Sequence, residues 1–151
     1  LVLAGAPGWD TAPLYSLVEA LGLSDDVILP GYIPGNLLPM WYNAAELFVY
    51  PSVYEGFGIP LVEAMACGVP VVASDTTSLP EAVGPAGALV PPADVEAWTA
   101  TLSHLLDDST ARREMAIRGR QHAEQFTWME TARQTVAAYH RALSGERVDS
   151  T

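Results

Sequence analysis

Short apolar segments alternate along the chain with stretches of helical periodicity, and this alternation constrains the fold more than any other feature. The predicted strands are Leu1–Gly5, Val27–Pro30, Leu47–Tyr50, Val69–Ser74 and Ala88–Val90. Strands separated by helices pair in parallel, because each helix carries the chain back across the sheet. The sequence therefore predicts an α/β domain with a Rossmann-like parallel sheet and flanking helices. Val69–Ser74 is almost entirely apolar, so we expect it at the centre of the sheet.

Segments with helical patterns fill the gaps between these strands and the C-terminal third. The predicted helices are Thr11–Leu21, Asn36–Ala45, Ile59–Cys67, Leu79–Val83, Asp94–Leu106, Ser109–Phe126 and Trp128–Leu143. Pro39 requires the second of them to begin late, near the proline. Asp94 or the residues before it are predicted to cap the helix that begins there. Trp98, Trp128 and Tyr139 are predicted to dock their helices on the sheet.

Charge is distributed very unevenly along the chain. The net charge is −11, and the seven basic residues are all arginines that follow residue 111. Such a surface repels nucleic acid, so no nucleic-acid partner is expected. The sequence has no uninterrupted apolar run of about 18 residues that would span a membrane. The single cysteine, Cys67, lies in an apolar stretch and is predicted to be a small packing residue; a reducing, cytoplasmic compartment is expected.

The chain opens directly on an apolar run, Leu1–Gly5, with no initiating methionine. We therefore expect a piece of a larger protein, in which residues 1–143 form one domain that lacks its first strand–helix unit. Residues 144–151 are polar and are expected to form a frayed tail.

Residues 55–63 are the strongest candidate for a functional site. Glu55 and Glu63 lie eight positions apart, one in a glycine-rich turn and the other predicted in the first turn of the helix that follows. A glycine-rich loop that opens a helix presents backbone N–H groups to phosphate. A carboxylate just inside that helix is well placed to hold a ribose diol. The combination indicates a nucleotide-sugar site.

The string from Tyr50 to Asp75, YPSVYEGFGIPLVEAMACGVPVVASD, resembles the donor-binding signature of one large enzyme family. This family is the retaining glycosyltransferases of the two-domain GT-B fold, also called glycosyltransferase family 4 or group 1. The resemblance extends to Leu1–Gly5, Gly31–Pro34, Ser78–Glu81 and Phe126–Trp128. It implies that the chain is the C-terminal, donor-binding half of a GT-B fold, without the N-terminal acceptor domain. It also implies a nucleotide diphosphate sugar as donor substrate.

The resemblance assigns roles to individual residues. Glu55 would be the catalytic-site carboxylate that binds donor-sugar hydroxyls near the reacting carbon, and Glu63 would bind the ribose hydroxyls. The backbone N–H groups of Gly56, Phe57 and Gly58 would face the sugar, and those of Ile59 and Leu61 the diphosphate. Tyr32 and Ile33 would border the base. No cofactor or metal is expected, and an acceptor saccharide, lipid or small molecule would be held by the other domain. Peripheral contact of the whole protein with the inner face of a membrane is left open.

The charge of the donor poses a problem for this assignment. A helix N-terminus stabilises an adjacent anion by roughly 0.3–2 kcal/mol. Each carboxylate–phosphate pair at about 6 Å costs on the order of 2–3 kcal/mol at an effective dielectric near 20. The resemblance implies an Arg and a Lys supplied by the first strand–loop–helix of the domain, which precedes Leu1. We therefore expect the chain alone to bind its donor weakly or not at all, and to be inactive as an enzyme.

Several alternatives stay open at this stage. A nucleotide-sugar epimerase or a glycogen-synthase-like enzyme would use the same fold, and a non-catalytic nucleotide-sugar binding module would belong to another class. A dinucleotide-binding dehydrogenase is disfavoured, because Gly5–Gly8 lacks the third glycine of that motif and the acidic residue that follows it.

Overall fold

A computed structural model describes residues 1–8 and 11–144 of the chain. The helices are α1 Ala12–Ala20, α2 Leu38–Asn43, α3 Ile59–Ala66, α4 Leu79–Val83, α5 Val95–Asp107, α6 Ser109–Ala123 and α7 Trp128–Ser144. The strands are β1 Val2–Ala4, β2 Ile28–Gly31, β3 Phe48–Tyr50, β4 Val71–Ser74 and β5 Ala88–Val90. A 3₁₀ turn, Gly84–Ala86, connects α4 to β5. All predicted elements are present, with ends shifted by up to three residues. Ser144 still belongs to α7, and the rest of the predicted tail, 145–151, lies outside the described residues.

The chain divides into two units, Leu1–Trp41 and the part from Tyr42 onward. In the first unit, β1 pairs in parallel with β2, and α1 connects the two strands. Thr11 directly precedes α1, but its side chain makes no capping hydrogen bond within the described part of the chain. The helix is started instead by Pro13 in its first turn, where a missing N–H costs nothing.

The second unit contains a three-stranded parallel sheet in the order β3-β4-β5. All residues of β4 are buried and β4 is the middle strand, which confirms the prediction that the segment Val69–Ser74 supplies the centre of its sheet, although the strand begins at Val71. A crossover helix, α3, joins β3 to β4, as expected for adjacent parallel strands. This topology places the loop 51–58 at the carboxyl end of β3, where open α/β sheets bind their ligands.

One part of the core of the second unit contains side chains of α5 and α6 together with those of the sheet, and another contains fully buried side chains of α3 and α4, among them Leu61, Met65 and Leu79. The buried apolar side chains of the first part include Val72, Val90, Trp98, Leu105 and Met115. The prediction for Trp98 is confirmed: the ring is 9% exposed, and its Nε1–H donates to the carbonyl of Pro91 at 3.1 Å. Asp94 caps α5 as predicted, because its carboxylate accepts the N–H of Ala97.

The predictions for Trp128 and Tyr139 are wrong within this chain. Both lie on α7 with their rings 87% and 66% exposed. Aromatic residues at helical spacing indicate an apolar face, but the sequence pattern does not identify the surface that covers it. None of the helices in the described residues is long and apolar enough to cross a membrane.

Candidate functional site

The carboxylate of Glu55 is held in place by two hydroxyl groups. Glu55 lies in the loop that follows β3 and is half-buried. Its Oε1 accepts hydrogen bonds from the hydroxyl of Tyr50 at 2.7 Å and from that of Ser52 at 2.9 Å. Because both donors bind the same oxygen, the other carboxylate oxygen is not needed for this anchoring. The arrangement fixes an anion while leaving it capable of accepting a ligand hydroxyl.

Glu63 is anchored in a similar way. Its Oε2 accepts the hydroxyl of Tyr42 at 3.0 Å, and its side chain is exposed. The prediction that Glu63 lies in the first turn of its helix is wrong, since α3 begins at Ile59 and its first turn contains no acidic residue. Glu63 therefore stands one turn further along α3, beyond the amide groups of the helix start.

The two anchoring tyrosines belong to one aromatic cluster. Tyr42 packs edge-on against Phe48 with ring centroids 5.3 Å apart, and Phe48 stacks on Tyr50 at 5.9 Å. Phe48 and Tyr50 lie on the same face of β3, since side chains alternate along a strand. Both glutamates are therefore held through β3: Glu55 by Tyr50 of that strand, and Glu63 by Tyr42, which packs on Phe48 of the same strand.

Burial and the neighbouring carboxylates keep the two phenols protonated. Burial, followed by the hydrogen bond to Glu55, raises the pKa of Tyr50 to about 12. Burial, followed by the hydrogen bond to Glu63, also raises the pKa of Tyr42. Each hydroxyl is consequently a neutral donor at physiological pH.

Gly58, the residue just before α3, has a backbone conformation that other residues rarely adopt. Its φ is +99°, and a Cβ at this position would lie 2.8 Å from Cδ2 of Leu79. Glycines at such positions allow close approach of the backbone to a neighbouring group. At Gly58 the close neighbour is α4 of the protein itself. At Gly56, a Cβ would have no atom within 4 Å among the described residues.

At the start of α3, two of the first three residues cannot donate a backbone N–H group to a phosphate. The N–H of Leu61, which was predicted to face the diphosphate, donates to the carbonyl of Gly58 at 2.9 Å. Pro60 has no N–H to donate. A phosphate contact at this helix start therefore depends on Ile59 more than on Leu61.

The side chain of Phe57 packs inside the protein. Its ring meets Phe126 edge-on with centroids 5.5 Å apart, and Phe126 in turn meets His122 at 5.2 Å. His122 Nε2 lies 3.1 Å from the carbonyl of Ala82. Only the backbone of Phe57 is thus a candidate for ligand contact, and His122 has a packing role.

The residues predicted to border the base, Tyr32 and Ile33, belong to the first unit and follow β2. The ring of Tyr32 is 74% exposed, whereas Ile33 is 7% exposed. Of the two side chains, that of Tyr32 is available to stack on a ligand.

The arginine side chains that make contacts in the described residues bind groups outside residues 55–63. In the described residues, the arginines with side-chain contacts are Arg112 with Glu46, Arg113 with Ser109, Arg118 with Glu114, Arg120 with Cys67 and Arg133 with Glu130. None of these contacts involves the segment between the two site glutamates. Residues 1–8 and 11–144 also contain no group of three or more His, Cys, Asp or Glu side chains that could hold a metal ion. Burial raises the pKa of the Cys67 thiol, which agrees with a packing role.

The family model of the "Glycosyl transferases group 1" matches residues 1–122. The chain belongs to the group 1 glycosyl transferases. It is 47% identical over 139 residues to the O-antigen chain mannosyltransferase B of Escherichia coli, covering 92% of this chain and 36% of the relative. It is 44% identical over 136 residues to the MMP alpha-(1->4)-mannosyltransferase of Mycolicibacterium hassiacum, covering 87% and 33%. The chain thus spans about a third of the length of the curated glycosyltransferases it matches.

Solved structures of glycosyltransferases place the fold in the same family. Sucrose-phosphate synthase from Thermosynechococcus elongatus superposes with a TM-score of 0.85 at 33% identity, over 97% of this chain and 39% of that one. The C-terminal domain of a group 1 family protein from Francisella tularensis gives 0.67 at 33% identity, over 75% and 60%. Anabaena HepE, solved in complex with UDP-glucose, gives 0.81 at 25% identity, over 93% and 40%. These matches confirm the predicted α/β fold as that of the C-terminal domain of GT-B glycosyltransferases.

Sequence reasoning missed the residues that hold the glutamates in place. Tyr42, Tyr50 and Ser52 carry hydroxyl groups that reach the two carboxylates. Tyr50 and Ser52 lie three to five positions before Glu55, and this proximity was the available signal. Tyr42 reaches Glu63 across 21 positions of sequence, a contact that no local pattern indicates.

Proposed function

We propose that the whole protein is a retaining glycosyltransferase, and that this chain is its donor-binding domain. The reaction transfers a sugar from a nucleotide diphosphate sugar to an acceptor hydroxyl and keeps the anomeric configuration. The acceptor and any general base belong to a second domain. Membership in the group 1 glycosyl transferases supports the class of reaction, and the arrangement of Glu55 and Glu63 supports the location of the donor site.

The observation that carries the proposal is the pair of anchored glutamates on either side of the glycine-rich start of α3. Glu55 is fixed by Tyr50 and Ser52, and Glu63 by Tyr42. A carboxylate held by a neutral donor keeps its charge and binds a sugar or ribose hydroxyl at a defined place. In this role Glu55 orients the donor sugar near the reacting carbon, and Glu63 binds the ribose diol.

Transfer requires stabilisation of the departing diphosphate and of an oxocarbenium-like sugar. The backbone N–H groups of Gly56, Phe57 and Gly58 would hold the sugar, and that of Ile59 would face the diphosphate, where the positive end of the α3 dipole helps. The negative charge of Glu55 favours the positive charge that develops on the sugar. Glu55 acts as a positioning and electrostatic group in this scheme, and no covalent intermediate is required.

The counter-charge for the diphosphate would come from outside this chain. The arginines described above are engaged elsewhere, and residues 1–111 contain no Lys or Arg. In the proposed whole protein, a strand–helix unit outside this chain supplies the missing cations.

The first unit supports this extension. Two-stranded sheets are marginally stable by themselves, and β1 and β2 expose apolar side chains. Val2 is 42% exposed and Ile28 57%. An additional strand and helix would cover such residues. The base-contacting role of Tyr32 and Ile33 remains a prediction from the resemblance.

The test is a thermal-shift panel on the whole protein with GDP, UDP and ADP sugars. We expect one donor to raise the melting temperature, and Glu63→Gln to weaken its affinity about 10- to 100-fold through loss of a hydrogen bond to a charged group. Glu96→Gln, at an exposed first-turn glutamate of α5, is the matched control. An unchanged shift in Glu63→Gln would disprove the ribose assignment.

Product analysis separates the alternatives. A glycosyltransferase gives a glycosylated acceptor with retained configuration, and Glu55→Gln abolishes this product. Epimerised donor sugar would indicate an epimerase, extension of a glucan would indicate a glycogen-synthase-like enzyme, and binding without turnover would indicate a non-catalytic module. The donor base and sugar follow from the same panel.

A further inference from the structure

The turn between β4 and α4 contains a residue in an unfavourable conformation. Thr77 has φ +50°, and it is the only non-glycine residue with positive φ in the part of the chain that the structure describes. A β-branched side chain is disfavoured in this left-handed region, because its Cβ substituents crowd the backbone. Strain of this kind persists where surrounding contacts impose it, often beside functional groups.

The side chains of this turn bind the main chain of Glu55. The N–H of Glu55 donates to Thr77 Oγ1 at 3.2 Å. The hydroxyl of Ser78 donates to the carbonyl of Glu55 at 2.9 Å. Both backbone groups of one loop residue are therefore bound by two consecutive side chains that lie 22 and 23 positions away in sequence.

The turn is itself firmly held. It follows the fully buried strand β4 and leads into Leu79, which is completely buried. Leu79 also lies against Gly58, where a Cβ would approach it to 2.8 Å. The loop 55–58 thus rests on the start of α4 at both of its ends, and the turn can transmit the rigidity of the sheet to Glu55.

We propose that Thr77 is a positioning residue for Glu55, whose main chain it holds so that the carboxylate points at the donor sugar. This inference rests on the proposed function. Tyr50 and Ser52 fix the end of the side chain, and Thr77 with Ser78 fixes its origin. With both ends fixed, the direction of the carboxylate is determined before the donor binds, and its reorientation contributes little to the barrier.

Three substitutions of Thr77 in the whole protein separate the effect of its hydroxyl group from the effect of its unfavourable φ. Thr77→Gly removes the hydroxyl and relieves the unfavourable φ, Thr77→Val removes the hydroxyl and keeps the branched shape, and Thr77→Ser keeps the hydroxyl. Thr76→Gly is the control for added flexibility, because it lies in the same turn and its side chain has no role in the proposal. Amide hydrogen exchange at Glu55, melting temperature, kcat and donor KM are measured for each.

We expect Thr77→Gly to melt at or above the wild-type temperature, yet to exchange its Glu55 amide faster. Its kcat falls about 3- to 10-fold, the size of one lost hydrogen bond, while the donor KM changes less. Thr77→Ser restores more of kcat than Thr77→Gly does. Thr76→Gly leaves the Glu55 amide protected. A purely structural role of Thr77 would instead lower the melting temperature without this split between kcat and KM.

The inference is overturned if Thr77→Gly turns over like the wild type while Glu55→Gln is inactive; the proposed function would then stand without it. Full kcat in Glu55→Gln would overturn the proposed role of Glu55 and the inference together. The activity of Glu55→Gln thus distinguishes a failure of the inference about Thr77 from a failure of the proposed role of Glu55.

Discussion

The hydroxyl of Tyr50 lies 2.7 Å from Oε1 of Glu55, at the end of the strand that leads into the glycine-rich loop. Tyr50→Phe removes this donor and keeps the ring against Phe48. Because Ser52 still binds the same oxygen, we expect a partial effect, with kcat of the whole protein reduced roughly tenfold, or about 1.4 kcal/mol. Steady-state kinetics measures it, and Tyr139→Phe on the exposed face of α7 is the control. Equal rates in both variants would show that the Tyr50 hydroxyl is dispensable.

The same tyrosine predicts how stability depends on alkaline pH. The pKa of Tyr50 is raised from 10.0 to about 12 in the folded chain, first by burial and then by the hydrogen bond to Glu55. Ionisation above pH 10 therefore favours the unfolded state, and the free energy of unfolding decreases as pH rises from 10 to about 12. Urea unfolding across this range should show a shallower decrease in Tyr50→Phe than in the wild type. Parallel curves would contradict the assignment.

Gly58 and Gly56 provide a matched pair in one loop. Gly58→Ala places a Cβ 2.8 Å from Leu79 at a φ of +99°, so we expect a loss of about 1–3 kcal/mol in the free energy of unfolding. Gly56→Ala meets no atom within 4 Å among the described residues and needs no positive φ. It should change stability by less than about 0.5 kcal/mol. Chemical denaturation of both variants tests the contrast, and equal losses would refute it.

Ser74 closes β4 with a fully buried hydroxyl that has no hydrogen-bond partner within residues 1–8 and 11–144. An unpaired buried polar group costs about 1–3 kcal/mol. Ser74→Ala removes it with little loss of volume, so stability should stay the same or rise by about 1 kcal/mol. Ser78→Ala, which removes a hydroxyl bonded to Glu55, should be destabilising. A clear loss of stability in Ser74→Ala would reveal a partner for this hydroxyl.

The 151-residue chain alone should bind a nucleotide sugar weakly. Glu55 and Glu63 flank the proposed diphosphate site, and no arginine contact in the described residues involves this segment. We therefore expect a dissociation constant of about 1 mM or above, near −4 kcal/mol. Titration calorimetry on folded chain, checked by circular dichroism, measures it. Micromolar binding would show that the counter-charge lies within this chain.

Sequence periodicity was sufficient for the elements and for the centre of the sheet. Val71–Ala73, three of the four residues of β4, are apolar because both faces of the strand are covered, and that burial leaves a direct trace in composition. The start of α3 was also predictable, since Pro60 and the glycines before it act locally. The exposed positions of Trp128 and Tyr139 were not predictable from the sequence. Aromatic residues on a helix indicate an apolar face, but they do not specify which surface, if any, that face packs against.

Sequence alone determined the two glutamates, the glycine-rich loop between strand and helix, and the family that carries them. These features are local, so their spacing along the chain records them. Only the tertiary structure decided how the glutamates are held: Tyr42 reaches Glu63 and Thr77 reaches Glu55 from more than 20 positions away. The contact of Thr77 with Glu55 exists because β3 and β4 are neighbouring parallel strands, whose carboxyl ends meet at the same edge of the sheet. The unfavourable φ of Thr77 has the same origin, since packing around β4 and α4 imposes a backbone conformation that the residue itself disfavours.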